Sequence, residues 1–235
     1  MNPLIAELRG KLIVSCQALD DEPLYSPQGG IMPLMARAAI QGGAAAIRAN
    51  TPRDIREIKE ALDVPVIGLN KQAHPGFAPY ITATLPEVDA IVAAGADIVA
   101  MDCTARPRPD GLTIGDAIAA IKQNHPGLPV MADISTFDEG LQAEAAGADI
   151  VATTLNHDPD IFDLVRQLCA ACQTPIFAEG GIHDPQSAAR MIELGAWSVV
   201  VGGAITRPLE ITSRFVAAIS RDHPVASRHP SNGGE

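Results

Sequence analysis

Short apolar runs alternate along this chain with segments whose apolar positions recur every three to four residues. The apolar runs predict strands at 11–16 (KLIVSC), 44–48 (AAAIR), 64–69 (VPVIGL), 97–102 (DIVAMD), 129–133 (PVMAD), 149–153 (DIVAT), 174–178 (TPIFA) and 197–201 (WSVVV). The periodic segments predict helices near 31–42, 52–62, 85–95, 113–124, 136–146, 158–171, 184–195 and 208–221. The strand runs are almost continuously apolar, as in a parallel sheet covered by helices. Asp184–Pro185 supplies an N-cap followed by Pro at the first helical position, and Asp158–Pro159 reads as another helix start. Ser135 or Thr136 before FDEG marks a helix with an acidic first turn. An internal echo supports the alternation. AAGAD occurs at 93–97 and at 145–149, and IELGAW at 192–197 has the same form: helix end, Gly cap, next strand. Eight such units predict an α/β fold, a closed (β/α)8 TIM barrel forming a single domain over 1–222. An open doubly wound sheet would need a Gly-rich loop after its first strand, and SCQALDDEPLYS is not one. The remainder, 223–235, is polar and Pro/Gly-rich and reads as a disordered tail.

Composition narrows the class. The chain has 235 residues, 47% of them hydrophobic but only 3% aromatic, so its core must be built mainly from Ala, Val, Ile and Leu. A net charge of −11, with no basic stripe, argues against nucleic acid as the main partner. It does not exclude an anionic small molecule, because a phosphate site is local. Cys169 and Cys172 form C-x-x-C, but no second pair or histidine cluster completes a zinc set. Cys16 and Cys103 lack a histidine partner and read as small buried residues. MNPLIAELRGK carries no signal-peptide core, and no stretch is long enough to cross a bilayer, so a cytoplasmic protein without a membrane partner is the expectation.

In a barrel of this kind, chemistry gathers at the C-terminal ends of the strands. There the chain places Gln17, Arg48 with Asn50, Asn70 with Lys71, Asp102 with Arg106, Asp133, Thr153 with Thr154, Glu179, and Gly202–Gly203 followed by Thr206–Arg207. The glycine pairs Gly180–Gly181 and Gly202–Gly203 follow strands 7 and 8, where barrels often hold phosphate on backbone N–H groups. Lys71 and Glu179 come from strands 3 and 7, on opposite sides of an eight-membered ring. Two ionisable groups facing one another suit proton transfer on both faces of one carbon, hence racemisation or epimerisation. The lysine could instead form a Schiff base, as in aldolases. His74, His125, His157 and His183 are scattered, with no metal-binding spacing, so no metal is expected; His74, in KQAHPGFAP, reads as a gate near the mouth.

These segments resemble the N-acylglucosamine-6-phosphate 2-epimerase family, also called N-acetylmannosamine-6-phosphate epimerases. The resemblance runs through SCQA (15–18), GGAAAIRAN (42–50), PVIGLNK (65–71), the long stretch 80–111 ending in RPRPDG, ADISTFDEG (132–140), GADIVATTL (147–155), AEGGI (178–182) and VVVGGAITRPLEIT (199–212). It implies a (β/α)8 barrel of aminosugar and sialic acid catabolism. Such an enzyme interconverts N-acetylmannosamine 6-phosphate and N-acetylglucosamine 6-phosphate without a redox cofactor. It implies Lys71 and Glu179 as the proton-transfer pair, and Gln17, Arg48, Asp133 and Arg207 as sugar-binding and supporting residues, with Asp133 orienting Lys71 or aiding ring opening. A homodimer is expected because related barrels are often dimers.

The chain departs from the family pattern in places. Gly181 stands where Arg, Lys or Asn is usual, Gly203 where Ser is common, TTLNHD replaces TTLSGY, and ITAT replaces ITPT. The rival readings are another phosphosugar barrel enzyme (a Schiff-base aldolase or a thiamine-phosphate-synthase-like enzyme) and a non-catalytic phosphosugar-binding protein. The apolar face of the last helix, LEITSRFVAAIS, fits either the barrel wall or a partner.

Overall fold

A computed structural model describes residues 1–157 and 160–222. The strands are β1 (Leu12–Cys16), β2 (Ala46–Asn50), β3 (Val66–Leu69), β4 (Ile98–Asp102), β5 (Val130–Asp133), β6 (Ile150–Ala152), β7 (Ile176–Glu179) and β8 (Ser198–Val201). The helices are α1 (Pro3–Glu7), α2 (Ile31–Gln41), α3 (Pro52–Ala61), α4 (Leu85–Ala93), α5 (Ile114–Asn124), α6 (Phe137–Ala145), α7 (Ile161–Ala171), α8 (Pro185–Glu193), α9 (Gly203–Thr206) and α10 (Pro208–Asp222). Every strand pairs in parallel with the next, and β8 returns to β1, closing the barrel. The predicted strands and helices are all present. The short α1 and α9 carry no periodic signal and were not expected. The expected start at Asp158–Pro159 lies outside the described residues; α7 is capped by Asp160, whose side chain accepts from Asp163 N–H. The expected tail, 223–235, lies outside them too.

The caps follow local chemistry. Thr136 and Glu139 form a reciprocal capping box on α6, and Asp184 caps α8 just before Pro185. The AAGAD echo also has a physical reason. Gly95 and Gly147 take φ of 101° and 90°, which ends each helix in a left-handed residue. The aspartates that follow accept backbone N–H bonds at the start of the preceding strand, Asp97 from Val66 at 2.8 Å and Asp149 from Val130 at 2.9 Å.

Strand alternation divides the core. Ile13, Ala46, Ile67, Ile98, Met131, Ile150, Phe177 and Val200 form the cluster inside the barrel, while Val14, Ile47, Val66, Val99, Val130 and Val151 face the helices. Ile5 and Leu8, at and just after α1, join the inner cluster. Trp197 Nε1 donates to Ile5 O at 2.8 Å, tying that segment across the N-terminal mouth. The barrel is therefore stoppered at one end and open at the other.

The last helix differs from the others. Along α10, Leu209, Phe215, Val216 and Ile219 are all exposed. Between α8 and the β8–β1 edge lies an apolar groove of about 330 Å³, lined by Leu12, Ala188, Ile192, Val199 and Val201, among others.

If Ile5 is part of the stopper, Ile5→Ala should destabilise the protein by about 2–5 kcal/mol, the usual range for truncating a buried Ile. Urea unfolding would measure this, and a change below about 0.5 kcal/mol would show that the inner core does not depend on α1.

Candidate active site

The period of two that fills the barrel also builds the open mouth. Continuing the inward-facing positions past Ile13, Ala46, Met131 and Phe177 brings Ser15 and Gln17, Arg48, Asp133 and Glu179 to the same interior. Lys71 follows Ile67 and Leu69 on the same side, one step beyond β3. The cavity there has a volume of about 230 Å³. Gln17, Arg48, Lys71, Glu179, Arg207 and the glycines 180, 181, 202 and 203 all line it. Asp133 does not line it and is fully buried, and of the other strand-end residues Thr154 and Thr206 line it whereas Asn50, Asn70, Asp102, Arg106 and Thr153 do not.

Arg48 organises the floor. Its guanidinium holds Asp133 with two bonds, Nη1 to Oδ1 at 3.0 Å and Nη2 to Oδ2 at 2.6 Å. Its Nη1 also lies 3.0 Å from Glu179 Oε2. Thr154 Oγ1 is placed 2.6 Å from Asp133 Oδ1 and 3.2 Å from Glu179 Oε2. Asp133 thus pairs with Arg48, whereas the expectation was that it would orient Lys71 or aid ring opening. The reason is reach: an inward Asp on β5 meets the inward Arg on β2 across the barrel. Burial alone would lower the Arg48 pKa, but the Asp133 and Glu179 carboxylates outweigh it and hold the guanidinium charged.

One guanidinium cannot neutralise two carboxylates, and this sets the state of Glu179. Burial and, next among the raising causes, the charge of Asp133 push its pKa up to about 7, against the opposing pull of Arg48, Thr154 and Lys71. Lys71 is shifted the other way. Burial first, then Arg48 and Arg207, lower its pKa, with Glu179 and Asp133 resisting. The two groups are therefore brought closer in proton affinity than a free Glu and Lys.

Lys71 is held by a short hairpin. Its N–H donates to Asn50 Oδ1 at 2.8 Å, it bridges antiparallel to Ile81, and its Nζ lies 5.9 Å from the centre of the Tyr80 ring. His74, expected near the mouth, does not line the cavity, and its Nε2 lies 2.9 Å from Glu87 Oε1, beside the cap of α4. The RPRPDG stretch is scaffold. Buried Arg108 donates to Ala83 O at 2.7 Å and Asp102 O at 3.2 Å, and Arg106 pairs with Asp102.

Among the described residues, two buried polar atoms in the site have no hydrogen-bond partner, Gln17 Oε1 and Arg48 Nε. One accepts and one donates, so together they can hold a polar ligand. Gly180 and Gly181 take φ of 98° and 65°, a region that disfavours any side chain there. Thr154, expected at the end of strand 6, lines the cavity; sequence reasoning missed Ser15, Tyr80, His183 and Glu210 as site residues, although all four line it too. Ser15 was legible from strand alternation; the other three depend on how loops fold back. Among the described residues no group of His, Cys, Asp and Glu converges as a metal site.

Known proteins resemble this chain along most of its length. The family model described as "Putative N-acetylmannosamine-6-phosphate epimerase" matches residues 32–221. A protein described as "Putative N-acetylmannosamine-6-phosphate 2-epimerase" from Caldanaerobacter subterraneus subsp. tengcongensis is 50% identical over 224 residues, covering 92% of this chain and 94% of the other. One of the same description from Enterobacter sp. (strain 638) is 48% identical, covering 93% and 97%. The solved N-acetylmannosamine-6-phosphate 2-epimerase from Clostridium perfringens superposes with a TM-score of 0.86 at 43% identity, over 92% and 96% of the two chains. A thiamine phosphate pyrophosphorylase from Pyrococcus furiosus, at 21% identity and a TM-score of 0.59, shares the fold.

The charge state of Glu179 has a consequence for stability. A carboxylate whose pKa is raised on folding binds its proton more tightly in the folded state. Its stabilising contribution is present below about pH 4.5 and is lost as the pH rises through about 7. Glu179→Gln should remove that slope, gaining stability relative to the wild type between pH 5 and pH 8. Urea titrations at both pH values test this; parallel pH dependences for the two proteins would contradict it.

Proposed function

The chain belongs to the N-acetylmannosamine-6-phosphate epimerase family, and on that premise we propose that it interconverts N-acetylmannosamine 6-phosphate and N-acetylglucosamine 6-phosphate by proton transfer at C2. The observation that carries the mechanism is the opposition of Lys71 and Glu179 across the mouth, with proton affinities displaced towards one another. In the open-chain aldehyde the C2–H is acidified by the adjacent carbonyl. One group removes the proton, the electrons pass into the carbonyl to give an enolate, and the other group returns a proton to the opposite face. Such a pair needs one member protonated and one not, and closely spaced pKa values keep both arrangements accessible. No electrons leave the substrate, so the reaction needs no redox cofactor.

Arg48 keeps its charge and lines the cavity, which suits stabilising the developing enolate oxygen. Gln17 Oε1 suits the amide N–H of the acylamino group. The glycines after β7 and β8, with Arg207, are assigned to the phosphate, and Asp133 to positioning Arg48. A cytoplasmic setting, in aminosugar and sialic acid catabolism, belongs to the same reading; the four cysteines are free thiols, which fits a reducing compartment.

The assembly proposed is a homodimer. The exposed apolar face of α10 and the apolar groove beside β8 and β1 complement one another, and two copies exchanging α10 would cover both. Phe215→Asp should then shift a dimer to a monomer in sedimentation at micromolar concentration. Phe215 is 69% exposed, so the barrel itself should be spared. A dimer of unaltered strength would exclude this face.

The chemistry is tested by NMR at C2 in D₂O. The wild type should incorporate deuterium as it epimerises. Lys71→Ala and Glu179→Gln should each slow turnover by at least ~10²-fold, the low end for loss of a general acid or base, while each retains exchange of one epimer. Exchange of both epimers in Glu179→Gln and of neither in Lys71→Ala would make Lys71 the base for both faces. Borohydride trapping of substrate on Lys71 would favour the Schiff-base reading. Epimerisation without solvent deuterium would exclude the proton-transfer mechanism altogether.

A further inference from the structure

Around Arg207 the cavity contains a negative charge that the reaction does not explain. Arg207 lines the cavity beside Gly202 and Gly203, and its Nη1 donates to Glu210 Oε1 at 2.9 Å. Arg214 approaches the other Glu210 oxygen at 3.9 Å. Glu210 also lines the cavity, and its carboxylate lies where a side chain at position 203 would have to go: a Cβ built on Gly203 would overlap it. An acidic group therefore occupies the space beside the arginine assigned to the anion. On its other side Arg207 pairs with Glu22 at 2.7 Å, but Glu22 does not line this cavity.

Resting on the phosphosugar reading above, we propose that Glu210 is a specificity-determining residue: its carboxylate holds the anion seat beside Gly203 and Arg207, and only a phosphate dianion displaces it. The energetics favour this asymmetry. The Arg207–Glu210 pair is partly exposed, with side chains 29% and 39% accessible, and pairs of that kind are weak. A phosphate carries up to twice the charge of a carboxylate and more acceptor oxygens, so it competes well for a guanidinium. A neutral 6-hydroxyl gains too little to break the pair, and while the carboxylate is in place the hydroxyl is kept from the seat. Glu210 thus discriminates against the unphosphorylated sugar by occupation. Gly203 is part of the device, since it leaves the room into which the carboxylate folds.

Two variants separate charge from bulk, Glu210→Gln and Glu210→Ala. For each, kcat/KM would be measured with N-acetylmannosamine 6-phosphate and with unphosphorylated N-acetylmannosamine, and inorganic phosphate would be titrated by calorimetry. The ratio of the two kcat/KM values should fall by about 10-fold or more in both variants, chiefly through a gain on the unphosphorylated sugar. Inorganic phosphate should bind several-fold more tightly than to the wild type, because its internal competitor is gone. Glu22→Gln removes the same charge from Arg207 without vacating the cavity, and should change the ratio much less. An unchanged ratio, a ratio lowered only by lost turnover of the phosphorylated sugar, or an equal fall in Glu22→Gln would overturn the proposal. Failure of the wild type to turn over the 6-phosphate would instead sink the epimerase reading. The phosphate titration needs no turnover and would still decide the role of Glu210.

Discussion

The site depends on one buried arginine. Arg48 is among the largest fully buried side chains, and its Nη atoms are held by Asp133 through a two-pronged pair and by Glu179 through a single contact. A guanidinium in that position without partners would be prohibitively costly. With two carboxylates around it the balance tips the other way, and the excess negative charge falls on Glu179, the one facing the cavity. The raised proton affinity of Glu179 follows from burial and from Asp133 having first claim on the arginine. The lowered affinity of Lys71 follows from burial and from the same arginine. The buried cation thus pulls both proton affinities down, and burial with Asp133 carries Glu179 upward against it.

The barrel around this constellation divides its labour by layer. Towards the N-terminal mouth the inward positions are Ile, Ala, Met and Phe, stoppered by Ile5 and Leu8 and tied by Trp197. Two residues further along, the inward positions on most strands become ionisable, polar or small, as with Ser15, Arg48, Asp133 and Glu179. The change of layer lets a dry core support charged groups that water alone could not hold in place. The βα loops are themselves braced by acidic side chains. Glu139 accepts from Ala105, Ser135 and Thr136, and Glu87 from Thr84, so these two carboxylates are structural.

Departures from the family pattern read differently once these surroundings are visible. Gly203 is not at a positive φ, so backbone strain does not demand glycine there; what fills the vacant space is Glu210. Gly181, by contrast, has φ of 65°, so its backbone disfavours a larger residue. The two glycines look alike in sequence and are maintained by unlike constraints.

Most of the fold was legible in the residues themselves. Strand and helix positions follow from hydrophobic period, caps and glycine stops, because backbone hydrogen bonding and burial are decided within each segment and its neighbours. Lys71 and Glu179 were legible as an opposed pair, because barrel closure places strands 3 and 7 across from one another. The contacts of Asp133 were not. Whether it meets Lys71 or Arg48 depends on side-chain reach across the interior, and only the packed barrel settled that it holds Arg48. The helix α1 stopper, the outward apolar face of α10 and the folding of Glu210 onto Gly203 likewise required the tertiary structure. Each depends on pairs of residues far apart in the chain, or on space left by a missing side chain. Local sequence determines which groups a strand end presents; the direction in which each charge turns is decided by which partner lies within a few ångströms when the barrel closes.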